Sequence, residues 1–341
     1  MNSSRRTFLA KGAVAAALAG TSSLAAAADN DNGPSSYSSV QDKILDLFES
    51  INGQKGVKIW APATDRQPEF LVKLNPRELL FCGSSFKTFV LCEALRQSDS
   101  PNIDKVLQNR ELDLNETVWS PDSAMLNPPD LAGKVSERTA LEAMIIHSDN
   151  TGADMILKYV GTDNVREFIK SAGLENTFVP NSTRQFFGYL AGAANWPTIT
   201  WQEITRILNS GQPLPNPPLN DVQTMASTPH DFVSFYSRSL QGRFFKNSAT
   251  LDEFRAILSR SDAIQQTIPL GASGFLKGGQ IDVNPFHALC LAGGMYLQGR
   301  WVYFAAMLNW NYPGDSDLET GGAFIGAIAE AFQLLNEALS Q

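Results

Sequence analysis

The spacing of apolar residues changes along the chain, and each change predicts a different element. The first regular repeat has helical spacing and predicts an amphipathic helix; its members are Val40, Ile44, Leu47, Phe48 and Ile51. Residues 57–60 and 70–74 are short, rich in β-formers and separated by polar residues, so they predict a two-stranded hairpin. From about 84 to 171 the pattern becomes mostly helical, with helices predicted at 90–95, 136–146, 152–160 and 164–172.

The second half begins with a long irregular stretch and ends in strands. Residues 177–220 are rich in aromatic residues, small residues and proline, and a loop of this length usually has a function or short elements of its own. A short helix is predicted at 200–208. The predicted elements after this stretch are helices from 229 and over 250–266, strands at 274–279, 288–297 and 301–308, and a final helix at 322–339.

Strands and helices at both ends of the chain therefore flank a helical middle. The simplest arrangement is an α/β (α+β) fold, with one antiparallel sheet flanked by terminal helices and an all-helical lobe beside it. We expect residues 36–80 and 245–341 to form the α/β lobe and residues 81–244 the all-helical lobe. The two together would make one catalytic domain, 36–341, with its ligand site in the cleft between the lobes.

Composition narrows the function classes. The chain has 341 residues, 43% of them hydrophobic, and a net charge of −8 without a long basic run, which argues against nucleic-acid binding. Three scattered histidines predict no metal centre, and no cofactor is expected. The three cysteines, Cys82, Cys92 and Cys290, allow one disulfide, but the favoured interpretation is that they are small buried apolar residues.

Residues 1–28 are interpreted as a targeting segment rather than as part of the fold. Two consecutive arginines, Arg5 and Arg6, precede an alanine-rich apolar run, which is typical of a twin-arginine signal peptide. An ordinary secretory signal or a membrane anchor are the alternatives. Cleavage near residues 26–28 would leave a periplasmic or secreted protein, free of the membrane and expected to be a monomer.

Three short motifs carry the candidate chemistry. Ser84 and Lys87 stand three residues apart at a predicted helix start, so the amine can lie on the same face as the hydroxyl. Such a pair arises by chance roughly once in a chain of this length, whereas the tripeptide Ser148–Asp149–Asn150 is expected on the order of 0.05 times. Lys277, followed by Gly278 and Gly279, lies on a predicted strand.

This ordered set resembles the class A β-lactamases and the related penicillin-binding serine peptidases. The resemblance covers nearly all of the chain after residue 36 and implies that Ser84 is the nucleophile and Lys87 its base. It further implies that Ser148 relays a proton to the leaving nitrogen. Asn150 would hold the substrate amide and orient Lys87.

In the same resemblance Lys277 would attract the substrate carboxylate, on the strand that also carries Gly279. The backbone N–H groups of Ser84 and Gln280 would form the oxyanion hole. The expected substrate is a small β-lactam or a D-Ala-D-Ala-like compound. Asp149 is interpreted as a helix cap, and His147 as a packed residue.

Two departures from the family pattern affect the expected activity. The glutamate that activates the deacylating water is replaced by Thr205 in the nearest matching string, and Glu203 is the candidate substitute. The alternative is that Glu203 is a surface residue of the short helix. The hydroxyl usually found between the lysine and glycine of the strand motif is absent at Gly278, so carboxylate affinity should fall. The family's carbapenemase disulfide does not carry over to Cys82 and Cys290.

The aromatic residues of the irregular stretch have two open interpretations, a roof over the cleft or core packing; they are Phe186, Phe187, Tyr189 and Trp196. For the whole chain we expect an exported serine hydrolase that hydrolyses β-lactams through an acyl-enzyme at Ser84. A DD-peptidase or esterase of the same fold is one alternative. A non-hydrolytic penicillin-binding or sensor protein that is acylated and stalls is the other.

Overall fold

A five-stranded antiparallel sheet with the strand order β2-β1-β9-β8-β7 organises the computed structural model, which describes residues 37–263 and 267–340. The expected signal peptide at 1–28 lies outside these residues. The strands of this sheet are β1 (Gln54–Ala61), β2 (Phe70–Leu74), β7 (Ser273–Val283), β8 (Phe286–Leu297) and β9 (Arg300–Asn311). Two small sheets pair β3 (Leu80–Phe81) with β6 (Ala226–Ser227), and β4 (Glu111–Leu114) with β5 (Gly133–Ser136).

The helices fall into two sets along the chain, one before the irregular stretch and one from its start onward. Those before the irregular stretch are α1 (Ser38–Glu49), α2 (Lys87–Gln97), α3 (Ile103–Asn109), α4 (Glu137–Ile146), α5 (Asn150–Val160) and α6 (Thr162–Ser171). The others are α7 (Thr183–Leu190), α8 (Trp201–Asn209), α9 (Pro229–Ser239), α10 (Ser248–Leu258) and α11 (Leu318–Leu339). Within the described residues, none of the helices is long and apolar enough to cross a membrane.

The sheet separates two hydrophobic cores. On one face, α1 and α11 cover the strands, with Phe48 against Phe324 and Phe304 against Phe332 at ring-centroid distances of 6.0 and 4.6 Å. On the other face, α9 joins the sheet to the helical layer, in which Phe89 stacks on Phe232. The terminal helices, the antiparallel sheet and the helical layer predicted from the sequence are confirmed. The exact lobe boundaries stay a prediction.

One predicted helix is too long. The helix predicted over 250–266 ends at Leu258, because the next four residues are polar and offer no further apolar position at helical spacing. The chain then turns back onto α4, where the Asp262 N–H donates to the Ile146 carbonyl. This tertiary contact replaces the continuation of the helix and brings Asp262 and Ala263 next to β7.

The irregular stretch contains its own short elements. α7 was not predicted, whereas α8 agrees with the predicted helix at 200–208 and is capped by Thr200. Phe186 is buried and stacks on Phe81, so core packing is the correct interpretation for this residue. Trp196 is partly exposed and contacts Tyr189.

Candidate active site

Ser84 lies in a tight turn that leads directly into α2. The turn, Gly83–Phe86, is a 3-10 helix, in which residues three apart are eclipsed, so Ser84 and Lys87 share a face. Ser84 is partly exposed, while every other residue from 81 to 95 is buried. The local fold therefore presents a single hydroxyl to solvent at the start of a buried helix.

The approach of β7 to this turn depends on two glycines. A Cβ atom on Gly279 would lie 2.1 Å from the Cys82 carbonyl oxygen and 2.7 Å from the Ser84 nitrogen. Gly83 has a φ of +51°, and a Cβ there would lie 2.7 Å from the Gln280 nitrogen. The strand and the turn thus pack backbone to backbone, and the peptide groups expected to form the oxyanion hole are neighbours. The buried Gln280 Oε1 has no partner in the described part of the chain.

Lys87 is a completely buried amine in the site. Its side chain is 0% exposed, and Nζ donates to the Ser148 carbonyl at 2.6 Å and to Asn150 Oδ1 at 2.7 Å. Burial and the positive charge of Lys277 lower the pKa of Lys87 to about 7. A neutral amine can make both hydrogen bonds with its two N–H groups and still keep a lone pair, so Lys87 can accept a proton near neutral pH.

The loop between α4 and α5 holds the partners of this amine. Ser148 has a φ of +58°, an uncommon conformation for a serine, and both its carbonyl oxygen and its hydroxyl reach Lys87. Asp149 caps α5 through the Gly152 N–H at 2.8 Å, as predicted. The amide of Asn150 is fixed in one orientation because its Nδ2 donates to the Pro121 carbonyl.

Lys277 reaches the same loop from the sheet. Its Nζ donates to Ser148 Oγ at 3.1 Å and to the Gly278 carbonyl at 2.8 Å. Burial lowers the pKa of Lys277 to about 8. The Ser148 hydroxyl therefore lies between two amines, and it can accept a hydrogen bond from one while it passes a proton to a leaving group.

We call the set formed by Ser84, Lys87, Ser148, Asn150 and Lys277 the catalytic cluster. Its members come from the start of a helix, an interhelical loop and a strand. A serine three residues before a buried amine, a hydroxyl between two amines and adjacent backbone donors are the parts that acyl transfer through a covalent intermediate needs.

Residues 39–332 match the family model described as the Beta-lactamase enzyme family. The chain belongs to this family. The family match, together with the fold of the solved neighbours, makes the protein a serine hydrolase of the β-lactamase fold, within the β-lactamase and penicillin-binding serine hydrolase superfamily.

Solved structures of β-lactamases share the fold at low sequence identity. A β-lactamase from Chitinophaga pinensis DSM 2588 is 16% identical with a TM-score of 0.66, and the match covers 88% of this chain and 99% of that one. A class A β-lactamase from Bacteroides cellulosilyticus DSM 14838 is 20% identical with a TM-score of 0.62, covering 87% and 97%. PBP-A is 17% identical with a TM-score of 0.64, covering 89% and 96%. No curated protein matches the chain significantly.

Within the described residues, Glu203 makes no hydrogen bond or ion pair with the catalytic cluster. The Glu203 carboxylate accepts from the Thr200 N–H and hydroxyl, both at 2.8 Å, and from Asn195 at 3.4 Å. Glu203 and Thr200 form a reciprocal capping box at the start of α8. The Thr200 backbone N–H holds the pKa of Glu203 below its usual value. These contacts favour the alternative in which Glu203 is a surface residue of the short helix.

A buried carboxylate that was not predicted supports the loop 148–150 of this β-lactamase-family protein. Asp154 accepts from the backbone N–H groups of Thr183 and Arg184 at 2.6 and 3.1 Å, and burial raises its pKa. Thr183 also donates to the Asn150 carbonyl at 3.3 Å. Asp154 stands four residues after Asn150 on α5, so helical spacing could have identified it.

The remaining predictions concern histidine and cysteine. His147 was predicted to be packed, but this was wrong, because its side chain is 41% exposed and Nδ1 lies 3.5 Å from Asp262 Oδ2. All three cysteines are free and buried, which confirms the small apolar interpretation. Within residues 37–263 and 267–340, no group of three or more potential ligands could hold a metal ion.

Proposed function

We propose that this protein opens β-lactam rings by forming an acyl-enzyme at Ser84. The observation that carries the proposal is the contact between the buried amine of Lys87 and the loop 148–150, because it provides a proton acceptor near neutral pH three residues after the partly exposed Ser84. Lys87 takes the proton of Ser84 during attack on the lactam carbonyl. The N–H groups of Ser84 and Gln280 receive the negative charge on the carbonyl oxygen.

Collapse of the tetrahedral intermediate requires a proton on the lactam nitrogen. Ser148 provides it, because its hydroxyl already lies within 3.1 Å of Lys277 Nζ and 3.5 Å of Lys87 Nζ. The proton that Lys87 removed from Ser84 can thus return to the leaving nitrogen through Ser148. The products of this step are an ester at Ser84 and an amine at the opened ring.

Release of the ester requires an activated water, and here the protein differs from the expected class A pattern. In the part of the chain that the structure describes, no carboxylate makes a hydrogen bond or an ion pair with Lys87, and Glu203 is occupied by its helix cap. We therefore propose that the acyl-enzyme forms readily and is hydrolysed slowly.

The same observation favours a second function, that of a penicillin-binding DD-peptidase or esterase. An enzyme of this kind can hydrolyse a β-lactam adduct slowly and still turn over its own substrate, if the acyl-enzyme ester formed from that substrate is less hindered. One fold relative, a variant of PBP-A, has been solved as an acyl-enzyme complex with penicillin G. This relative supports acylation by a penicillin as the chemistry to test.

Intact-mass spectrometry after mixing with benzylpenicillin tests both proposals. We expect a stoichiometric adduct, located on Ser84 by peptide mapping, that persists over many turnover times of an efficient β-lactamase. Rapid disappearance of the adduct with steady cephalosporin turnover would favour an efficient β-lactamase. Turnover of D-Ala-D-Ala peptides or short esters would favour the second function.

We also propose that residues 1–28 direct export, so that the protein acts in the periplasm or outside the cell. The support is the Arg5–Arg6 pair before the apolar run. Replacement of both arginines by lysine should retain the protein in the cytoplasmic fraction. Unchanged export of this variant would point to an ordinary secretory signal.

A further inference from the structure

A chain of buried hydroxyl groups connects α5, the segment 120–123 and α7. Ser123 Oγ lies 2.6 Å from Thr151 Oγ1 and donates to the Ser120 carbonyl at 2.8 Å. Ser120 Oγ lies 2.7 Å from the hydroxyl oxygen of Thr183, the first residue of α7. All four residues are at most 5% exposed, so the hydrogen bonds between them are shielded from water.

The chain of hydroxyl groups ends at the carboxylate of Asp154, which fixes its direction. Asp154 Oδ1 accepts from the Thr183 N–H at 2.6 Å and from the Thr183 hydroxyl at 2.8 Å, and Oδ2 accepts from the Arg184 N–H at 3.1 Å. Because an ionised carboxylate only accepts, the single hydroxyl proton of Thr183 points towards Asp154, and Thr183 Oγ1 accepts from Ser120. Asp154 therefore holds the Thr183 hydroxyl in one orientation.

The Thr183 hydroxyl lies against Asn150, the residue that contacts the amine of Lys87. Thr183 Oγ1 is 3.3 Å from the Asn150 carbonyl oxygen, and Asn150 Nδ2 donates to the carbonyl of Pro121, within the segment 120–123. Both contacts of Asn150 thus belong to segments that the hydroxyl groups join. With its backbone and Nδ2 held in this way, Asn150 presents Oδ1 to Lys87 Nζ at 2.7 Å.

We propose that Asp154 is a positioning residue for the acylation step, in which it keeps Asn150 Oδ1 on the Lys87 amine by holding the hydroxyl of Thr183. This inference rests on the proposed acylation of Ser84. A general base must lie in the correct place before it can take a proton, and a small displacement of the amine lowers the rate steeply. Asp154 thus acts on the reaction through its neighbours.

Two substitutions of Thr183 test the hydroxyl contact directly. Thr183→Val keeps the shape of the side chain and removes the hydroxyl, whereas Thr183→Ser keeps the hydroxyl. Second-order rate constants for acylation of the full chain by benzylpenicillin are measured by intact mass. We expect Thr183→Val to be about 10- to 100-fold slower and Thr183→Ser to stay within about 2-fold of the unmodified protein. Equal losses in the two variants, or no loss in Thr183→Val, would overturn the inference.

The pH profile of Asp154→Asn gives a readout that a merely structural role would not change. Burial and the charge of Lys277 lower the pKa of Lys87, and three carboxylates oppose this; they are Asp149, Asp154 and Asp122. Without the charge of Asp154, Lys87 should become neutral at lower pH, so the acid limb of the acylation profile should move to lower pH. In Thr183→Val the charge remains, and the rate should fall without this shift. An acid limb at the same pH in Asp154→Asn would contradict the assigned link to Lys87.

A matched control separates positioning from the loss of a buried hydrogen bond. Thr250→Val removes another buried threonine hydroxyl that donates to a carboxylate, Asp99 Oδ1, at 2.5 Å. It should lower the melting temperature much as Thr183→Val does, because each variant loses such a bond, and leave the acylation rate unchanged. An equal loss of rate in Thr250→Val would attribute the effect to reduced stability and overturn the inference alone. Absence of an adduct in the unmodified protein would refute the proposed function and the inference with it.

Discussion

Two ionisable side chains, Lys87 in the catalytic cluster and Glu203 at the start of α8, have opposite surroundings. Lys87 is completely buried, and its surroundings lower its pKa to about 7, which makes the amine a usable base. Glu203 is partly exposed, and hydrogen bonds from Thr200 lower its pKa, which makes the carboxylate a weaker base. Under the proposed function, the fold therefore supports the step that forms the acyl-enzyme better than the step that would hydrolyse it.

Replacement of the proposed nucleophile, Ser84, should reduce the rate of acylation more than any other substitution. In Ser84→Ala we expect acylation by benzylpenicillin to fall by at least about 10⁴-fold, because no other exposed hydroxyl lies on this face of the turn. Intact mass measures the adduct. Ser85→Ala is the matched control, since this buried hydroxyl donates to the Lys277 carbonyl and lies in the same turn. An adduct on Ser84→Ala would place the nucleophile elsewhere.

Removal of the buried amine should have the next largest effect. We expect Lys87→Met to slow acylation by about 10²- to 10⁴-fold, the usual contribution of a positioned general base. Methionine has a similar volume, but it leaves the Ser148 carbonyl and Asn150 Oδ1 without this donor, so stability should fall by about 1–3 kcal/mol while the fold is retained. Lys73→Met, at an exposed position of β2, is the control for loss of a positive charge. A large loss of stability together with activity would indicate a structural role for Lys87.

The two lysines predict a narrow pH optimum for acylation. Lys87 must be neutral to accept a proton, so the rate should rise as pH increases through about 7. Lys277 must be charged to assist Ser148, so the rate should fall as pH increases through about 8. Stopped-flow acylation over this range gives the profile. In Lys277→Arg the alkaline limb should disappear, since a guanidinium stays charged. An unchanged alkaline limb would assign that ionisation to another group.

The parts of the fold and site that could be predicted from the sequence are those set by neighbouring residues. Ser84, Lys87 and the loop 148–150 are recognisable because the chemistry needs particular residue types at fixed spacing within one turn or loop. The terminal helices and the central strands follow from apolar periodicity. In both cases the signal lies in neighbouring residues.

The rest depends on contacts between distant segments. The chain turns back after Leu258 and packs Ala263 against Gly278, which neighbouring residues in the sequence do not predict. α7 lacked a clear repeat and is held by the buried carboxylate of Asp154. Glu203 became a catalytic candidate because it stands near a family motif, yet its capping box with Thr200 follows from a local pattern that was equally visible in the sequence.

Substitution of Glu203 should change the acyl-enzyme lifetime least, and it tests directly whether this carboxylate takes part in hydrolysis of the ester. Because glutamine preserves the capping box, Glu203→Gln should leave both the melting temperature and the lifetime of the acyl-enzyme within about 2-fold of the unmodified protein. Thr200→Ala, in contrast, removes the cap and should cost about 1 kcal/mol of stability without changing that lifetime. Time-resolved intact mass and thermal unfolding measure the two quantities. An adduct that persists many times longer in Glu203→Gln would show that this carboxylate reaches the ester in spite of its cap. Glu203 and the catalytic cluster would then act together on the water that hydrolyses the ester, and slow hydrolysis would have to arise from another cause.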